Sequence, residues 1–212
     1  MIARAEITGV LLCGGSARRM DGVDKPLQLL AGTPLVLHVR ERLTPQVGRI
    51  VISANTQQAQ YAQWGDAVVT DREPGQGPLG GLVSALGAVT TPYAFCCTGD
   101  SPQLHPTLVN RLAATLEEQG VDAVYPHDGT RTQPLFLLMR TSVRDGLVQY
   151  MQAGGRKVTT WLEQLPLAVH EARDIADSFL NLNTLAELSA ASAHFPTRAD
   201  ADPRSPSTVE SL

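Results

Sequence analysis

The stretch GVLLCGGSARRMDGVDK, residues 9–25, joins an apolar run to a glycine pair and a basic turn. The apolar run is typical of a buried strand, and the adjacent Gly14 and Gly15 would let backbone N–H groups approach a ligand closely. The spacing fits neither a Walker A loop nor the dinucleotide fingerprint G-x-G-x-x-G. A glycine turn with solvated charges is the simpler alternative. We predict a loop that binds a nucleobase or a triphosphate, with Lys25 reaching the phosphate oxygens.

Strand-like and helix-like segments alternate outward from this stretch. The predicted strands cover residues 7–13, 48–55, 66–71, 91–100, 121–127, 133–140 and 167–172. The predicted helices cover residues 33–45, 78–89, 105–120, 141–155 and 157–165. Near-continuous apolar strands that alternate with helices predict an α/β fold of three layers, in which helices cover both faces of a mostly parallel sheet.

The chain length bounds the number of domains. With 212 residues the chain favours a single domain, which we place at residues 1–190. Residues 191–212 are rich in Ala, Ser, Pro and Asp, and this composition predicts a disordered tail without a catalytic part.

Charge and composition exclude several classes of protein. The 17 basic and 21 acidic residues give a net charge of −4, which argues against a nucleic-acid surface. No apolar stretch approaches the roughly 20 residues needed to span a bilayer, and the first ten residues lack the apolar core of a secretory signal. Three cysteines and scattered histidines fit neither a disulfide framework nor a zinc site. We expect a cytoplasmic protein with no nucleic-acid or membrane partner.

Polar or glycine residues lie at the carboxyl ends of the first four predicted strands. They are Gly14 with Gly15, then Asn55, Asp71 and Asp100. In an open α/β sheet, ligands bind beyond the carboxyl ends of the strands, so these positions predict one site. A carboxylate at the end of an apolar strand suits Mg²⁺, which is usually held by one or two carboxylates together with substrate phosphates. Asp100 is therefore a candidate Mg²⁺ ligand, although Gly-Asp-Ser-Pro is also good turn chemistry, and Asp71 could equally be a cap.

Three further segments carry weaker signals. GQGPLGG, residues 75–81, enters a predicted helix whose N-terminus could bind an anion, although a simple loop-to-helix junction explains the same letters. Arg156 and Lys157 are either a solvated basic pair or a phosphate clamp. Asn181 and Asn183 could cap the helix that follows them.

The segment LLCGGSARRMDGVDKPLQLLAGTPL resembles the N-terminal signature of Rossmann-like nucleotidyltransferases, and within them that of the molybdenum cofactor guanylyltransferases. The matching positions are Leu12, Gly14, Gly15, Arg19, Met20, Gly22, Asp24, Lys25, Gly32, Pro34 and Leu35. The resemblance continues through ISAN, TDREPGQGPLGGL, CTGDSP, AGGRKV and FLNLNTLAEL, to about residue 190. It implies a Rossmann-like nucleotidyltransferase fold.

The chain departs from the family pattern at three positions. Cys13 stands where the family usually has alanine, and Asp21 replaces a glycine near the phosphate site. Ser53 occupies a position where some members carry a base-contacting asparagine, so we expect Ser53 and Asn55 to share base recognition. The sister group that makes the cytosine dinucleotide usually shows L-A-A-G in the first loop. The glycine pair here favours guanine, because the missing methyl group leaves room for the larger purine.

The resemblance implies transfer of GMP from Mg²⁺-GTP to the terminal phosphate of molybdenum-bound molybdopterin, with release of pyrophosphate. It implies that Asp100 holds Mg²⁺ and that Lys25 and Arg19 stabilise the charge on the leaving pyrophosphate. The implied nucleotide-binding residues are Leu12, Cys13, Gly14, Gly15, Lys25, Ser53, Asn55, Asp71 and Asp100. The implied pterin contacts are Gly77, Pro78, Leu79, Arg156, Asn181 and Asn183.

The resemblance also implies protein partners, and two other functions stay open. Molybdenum-insertion proteins and acceptor molybdoenzymes are its implied protein partners. A related nucleotidyltransferase stays open, either a cytidylyltransferase on the same pterin or an enzyme acting on a sugar phosphate. A non-catalytic carrier of the cofactor is the alternative from another class.

Overall fold

The computed structural model describes residues 1–14, 24–71, 73, 75–180, 182, 187–188 and 195. The strands are β1 (Ile7–Leu12), β2 (Leu29–Leu30), β3 (Thr33–Pro34), β4 (Arg49–Ser53), β5 (Ala67–Val69), β6 (Tyr93–Thr98), β7 (Ala123–His127), β8 (Leu137–Arg140) and β9 (Leu167–Glu171). The helices are α1 (Leu35–Leu43), α2 (Gln58–Tyr61), α3 (Pro78–Leu86), α4 (Leu108–Gln119), α5 (Arg144–Gln152) and α6 (Val158–Leu162).

Seven of the described strands form one sheet in the order β5-β4-β1-β6-β8-β7-β9. β1 is the third strand in this order and pairs in parallel with β4 on one side and β6 on the other, with Leu12 opposite Ser53 and Thr98. β8 is antiparallel to both of its neighbours, β6 and β7. The prediction of a mostly parallel sheet is therefore confirmed.

Two cores lie on opposite faces of the sheet, because successive side chains of a strand point to opposite faces. All six residues of β1 are buried. Ile7 and Leu11 join the core under α1 and α4, whereas Val10 and Leu12 join the core under α3, α5 and α6. The three-layer arrangement predicted from the sequence is thus observed. No helix in the described part of the chain is long and apolar enough to cross a membrane.

The small hairpin of β2 and β3 was not predicted. Its two-residue turn consists of Ala31 and Gly32, both with positive φ (49° and 79°), as tight hairpin turns between antiparallel strands require. Leu30 of β2 and Leu35, the first residue of α1, are fully buried in a third cluster. Phe195, in the segment predicted as a tail, packs in the same cluster, and its ring meets His38 edge-on at 5.3 Å.

The ends of the predicted elements differ from the observed ones by a few residues. α4 begins at Leu108, after the predicted start at His105, and it ends at Gln119, before Gly120, which adopts the left-handed conformation with φ 63°. Glycine is favoured there because a Cβ disfavours positive φ. β1, β4, β5 and β6 each end two residues before the predicted site position, Gly14, Asn55, Asp71 or Asp100, which leaves those positions on loops at the edge of the sheet.

Candidate active site

The loops after four neighbouring strands meet at one edge of the sheet. β5, β4, β1 and β6 run in parallel, so their carboxyl ends lie on the same side. The positions that follow them include Gly14, Asn55, Asp71 and Asp100. The structure therefore places these predicted site residues along a single edge, where α/β proteins bind ligands.

Lys25 and Asp100 form an ion pair across this edge. The Lys25 Nζ donates to the Asp100 Oδ2 at 2.6 Å, and the two side chains are only 22% and 17% exposed. Lys25 begins a short 3₁₀ turn, Lys25–Leu27, whose Pro26 is buried. The turn fixes the lysine backbone, so the ammonium group is held close to the end of β6.

The second carboxylate oxygen of Asp100 is a candidate metal ligand. Asp100 Oδ1 is buried and has no hydrogen-bond partner among the described residues. A buried, unpaired carboxylate oxygen is costly unless a cation or a donor meets it in the functional state. The described residues contain no cluster of three or more His, Cys, Asp or Glu side chains that could hold a metal by themselves. One carboxylate fits a cation such as Mg²⁺ that takes its other ligands from substrate phosphates and water.

Asn55 and Asp71 form a reciprocal pair. Asn55 Nδ2 donates to Asp71 Oδ2 at 2.9 Å, and the Asp71 backbone N–H donates to Asn55 Oδ1 at 2.9 Å. Asp71 Oδ1 is buried and has no hydrogen-bond partner in the described structure. The pair thus leaves one carboxylate oxygen of Asp71 as an acceptor for a ligand.

Two helical glycines allow α3 to approach this pair. A Cβ built on Gly80 would stand 3.5 Å from Asp71 Oδ2, and a Cβ built on Gly81 would stand 3.5 Å from Asp71 Oδ1. The Gly81 Cβ would also lie 2.7 Å from Ser53 Oγ, which is closer than side-chain atoms tolerate. Ser53 is 1% exposed, so its hydroxyl lies in the wall of the site beneath α3.

The Thr56 side chain, which was not predicted to belong to the site, bonds to the loop after β1. Its Oγ1 donates to Asp24 Oδ2 at 2.8 Å. Asp24 is the residue before Lys25, and burial raises the pKa of its carboxyl group, while the bond from Thr56 opposes that shift. The available signal was position, because Thr56 directly follows Asn55 at the end of β4.

Cys13 lies below the site as a packing residue. Its side chain is 4% exposed, and a Cβ on Gly99 would stand 2.6 Å from its sulfur. Burial raises the pKa of the Cys13 thiol well above its ordinary value, and the carboxylates of Asp24 and Asp100 add to the shift. The thiol therefore stays protonated and unreactive at neutral pH.

The family described as the MobA-like NTP transferase domain matches residues 9–169 of the sequence. The chain belongs to the MobA-like NTP transferase family.

Curated relatives of this NTP transferase support the assignment over most of the chain. A molybdenum cofactor guanylyltransferase from Cupriavidus necator is 46% identical over 194 residues, which cover 89% of this chain and 97% of the relative. One from Shewanella putrefaciens is 41% identical over 182 residues, with 85% and 93% covered. The predicted family is confirmed, and the protein is an enzyme of the nucleotidyltransferase class.

Solved structures of similar proteins share the fold. Molybdopterin-guanine dinucleotide biosynthesis protein A from Archaeoglobus fulgidus has a TM-score of 0.73 and 25% identity, with 88% of this chain and 97% of that chain covered. A CMP:2-keto-3-deoxy-manno-octonic acid synthetase solved with CTP has a TM-score of 0.66 at 15% identity, with 91% and 98% covered. The second likeness is one of fold alone.

The described residues that were predicted to contact the pterin lie at the start of α3 and after the end of α5 in the NTP transferase. Gly77, with φ 68°, directly precedes α3, and Pro78 is the first residue of the helix. The Leu79 side chain is fully buried in the core, so only its backbone could face a ligand. Arg156 Nη1 donates to the Met151 carbonyl at 2.8 Å and to the Gly155 carbonyl at 2.7 Å, which ties the arginine to the end of α5.

Arg156 and Asp71 line one groove of about 1180 Å³. The groove lies between β5, α3 and α5, and its lining includes Asp71, Gln76, Gly80 and Arg156. Lys25 and Asp100 do not line it. The structure thus places Arg156 on the Asp71 side of the site and away from the ion pair. Gly15, Arg19, Asn181 and Asn183 lie outside the described residues, and their predicted roles stay predictions.

Proposed function

We propose that the enzyme transfers GMP from GTP to the terminal phosphate of molybdenum-bound molybdopterin, giving the guanine dinucleotide form of the cofactor and pyrophosphate. The observation that carries the proposal is the pair of buried, unpaired carboxylate oxygens at one sheet edge, Asp71 Oδ1 and Asp100 Oδ1. One is set for a hydrogen-bond donor of a base, and the other lies beside Lys25 for a cation and phosphates. Relatives over 40% identical carry the name of this activity.

Guanine suits the Asp71 side of the site. Its Watson–Crick edge presents the N1–H and 2-amino donors side by side, and a carboxylate offers only acceptors. Asp71 Oδ1 is buried, so a hydrogen bond to it strengthens in the low local dielectric. Gly14 carries no Cβ, and a Cβ there would stand 3.3 Å from Asn55 Nδ2, so the glycine lets the loop after β1 lie close to Asn55. We assign Asp71 to the guanine and Gly14 to its close approach.

Lys25 would bind the phosphates of GTP and stabilise charge on the departing pyrophosphate. Preorganised cations at the point where charge develops account for much of the rate in phosphoryl transfer, together with positioning. Mg²⁺, held by Asp100 together with the phosphates, would supply charge neutralisation on the triphosphate. The attacking phosphate oxygen is already anionic, so the residues need not supply a strong general base.

The proposal is tested by incubating the protein with molybdopterin, molybdate and Mg²⁺, separately with GTP, CTP, ATP and UTP. The expected result is pyrophosphate release with GTP and a GMP-pterin product identified by mass spectrometry. A CMP-pterin product would overturn the guanine assignment, and turnover of GTP with a sugar phosphate alone would overturn the acceptor. Binding of the pterin without any pyrophosphate release would indicate a carrier.

A further inference from the structure

Six side chains form three successive contacts along the site edge, in the order in which the strands lie in the sheet. In strand order they are Asp71 after β5, Asn55 and Thr56 after β4, Asp24 and Lys25 after β1, and Asp100 after β6. β4 lies between β5 and β1. The loop after β4 therefore contacts the loop on either side of it through two adjacent residues.

Asn55 contacts the loop after β5. Its Oδ1 accepts from the Asp71 backbone N–H and its Nδ2 donates to Asp71 Oδ2, both at 2.9 Å. Two bonds to one residue fix both the backbone and the carboxylate plane of Asp71, and they select which oxygen remains for a ligand. Each polar atom of the Asn55 amide therefore makes one bond to Asp71.

Thr56 contacts the loop after β1. Its hydroxyl has a single proton, which is directed to Asp24 Oδ2 at 2.8 Å. The Asp24 carbonyl accepts from the Leu27 N–H at 3.0 Å, so the residue that Thr56 anchors also closes the turn that carries Lys25. From that turn Lys25 reaches Asp100 at 2.6 Å. Thr56 is thus linked to the Lys25 ammonium group through Asp24 and the turn that Asp24 closes.

We infer that Asn55 and Thr56 are positioning residues with separate tasks: Asn55 orients Asp71 toward the base, and Thr56 orients Lys25 toward the phosphates. The inference rests on the proposed function only in that a nucleoside triphosphate binds at this edge. It gives Asn55 an indirect part in the base recognition that we expect it to share with Ser53. Adjacent residues of one loop thus affect different halves of the ligand.

The test measures binding of inorganic tripolyphosphate and of GTP to the full chain by calorimetry, both with Mg²⁺. Tripolyphosphate reports the phosphate half, and the gain in affinity from tripolyphosphate to GTP reports the nucleoside half. The variants are Asn55→Ala, Thr56→Val and Thr56→Ser. Both positions are exposed, so the substitutions remove no core packing. The matched control is Gln57→Asn in the same loop, because Gln57 has φ 48° and asparagine tolerates that conformation.

We expect Thr56→Val to weaken tripolyphosphate binding about 5- to 10-fold, the loss of roughly one hydrogen bond, and Thr56→Ser to stay within about twofold of wild type. We expect Asn55→Ala to weaken GTP about 10-fold and to leave tripolyphosphate within about twofold. Gln57→Asn should change neither. Thermal midpoints should stay within a few degrees of wild type for all four.

The inference is overturned if Asn55→Ala weakens both probes equally, if Thr56→Val leaves tripolyphosphate binding unchanged, or if serine does not restore it. A wild-type protein that binds tripolyphosphate but prefers CTP to GTP would instead refute the guanine assignment. The separate tasks of Asn55 and Thr56 would then be measured with CTP in place of GTP, so the two failures are distinguishable.

Discussion

Gly81 lies against Ser53 so closely that a Cβ on the glycine would stand 2.7 Å from the serine hydroxyl oxygen. The same Cβ would lie 3.5 Å from Asp71 Oδ1, the unpaired acceptor of the site. A glycine in the middle of α3 therefore sets how close the helix comes to Ser53 and Asp71. The propensity cost of glycine within a helix, roughly 0.5–1 kcal/mol, is offset by this approach.

Gly81→Ala should lower the free energy of unfolding by about 1–3 kcal/mol through overpacking and should weaken GTP binding. Gly146→Ala is the matched control, since Gly146 lies inside α5 with no atom within 4 Å of its Cβ position, and it should gain roughly 0.5–1 kcal/mol. Urea denaturation measures both. The double variant Ser53→Ala with Gly81→Ala should recover much of the stability, and no recovery would contradict the contact as the cause.

Asp100→Asn should reduce pyrophosphate release by about 100-fold or more, because it removes the charge that pairs with Lys25 and would hold the cation. Asp174→Asn is the control. Asp174 also forms an ion pair, with Arg111 at 2.7 Å, but the Asp174 side chain is 62% exposed. Exposed pairs contribute at most about 1 kcal/mol, so activity should not change. Equal activity of the two variants would exclude Asp100 from the reaction.

The three cysteines should resist alkylation in the folded protein. Cys13, Cys96 and Cys97 are all buried and free, and burial raises the pKa of each thiol, that of Cys96 to about 12. Iodoacetamide at pH 8 followed by mass spectrometry should add no label to the native protein and three labels in guanidinium chloride. Native labelling of Cys13 would contradict its assignment as a packing residue. Cys13→Ala should keep activity within about threefold of wild type, because it is a small change in packing.

His170 should lower the free energy of unfolding as the pH decreases below neutrality. Burial, followed by the nearby Arg111, lowers the pKa of His170, and its Nδ1 lies 2.9 Å from the Thr115 hydroxyl. The unfolded state takes up the proton first, at a pKa of about 6.5, so the folded state loses stability as pH falls through that value until the native group also protonates. His170→Gln lacks this penalty.

The stability of His170→Gln relative to wild type should therefore be constant above about pH 7.5 and should rise as the pH falls from 7 to 5. Urea unfolding at several pH values measures this difference. A difference that does not depend on pH would show that the folded protein binds the proton as readily as the unfolded chain.

The sequence alone determined the layers of the fold and the placement of most of the site. Apolar runs in β1 and β6 and the helical period of α4 are local patterns, and burial of those patterns leaves few arrangements other than a sheet between helices. The rule for strand ends located Asn55, Asp71 and Asp100 before any contact was visible, because the carboxyl ends of parallel strands meet at one edge.

Only the tertiary structure decided which of these side chains bond to one another. Lys25 and Asp100 are 75 positions apart, and Asn55 and Asp71 are 16 apart, so their pairing follows from strand order and not from spacing. The antiparallel direction of β8 was likewise not predicted. The connection from His127 to Leu137 is too short for the helical crossover that joins parallel strands. Local patterns fix which face of an element is buried, whereas contacts between elements depend on the sheet order that brings them together.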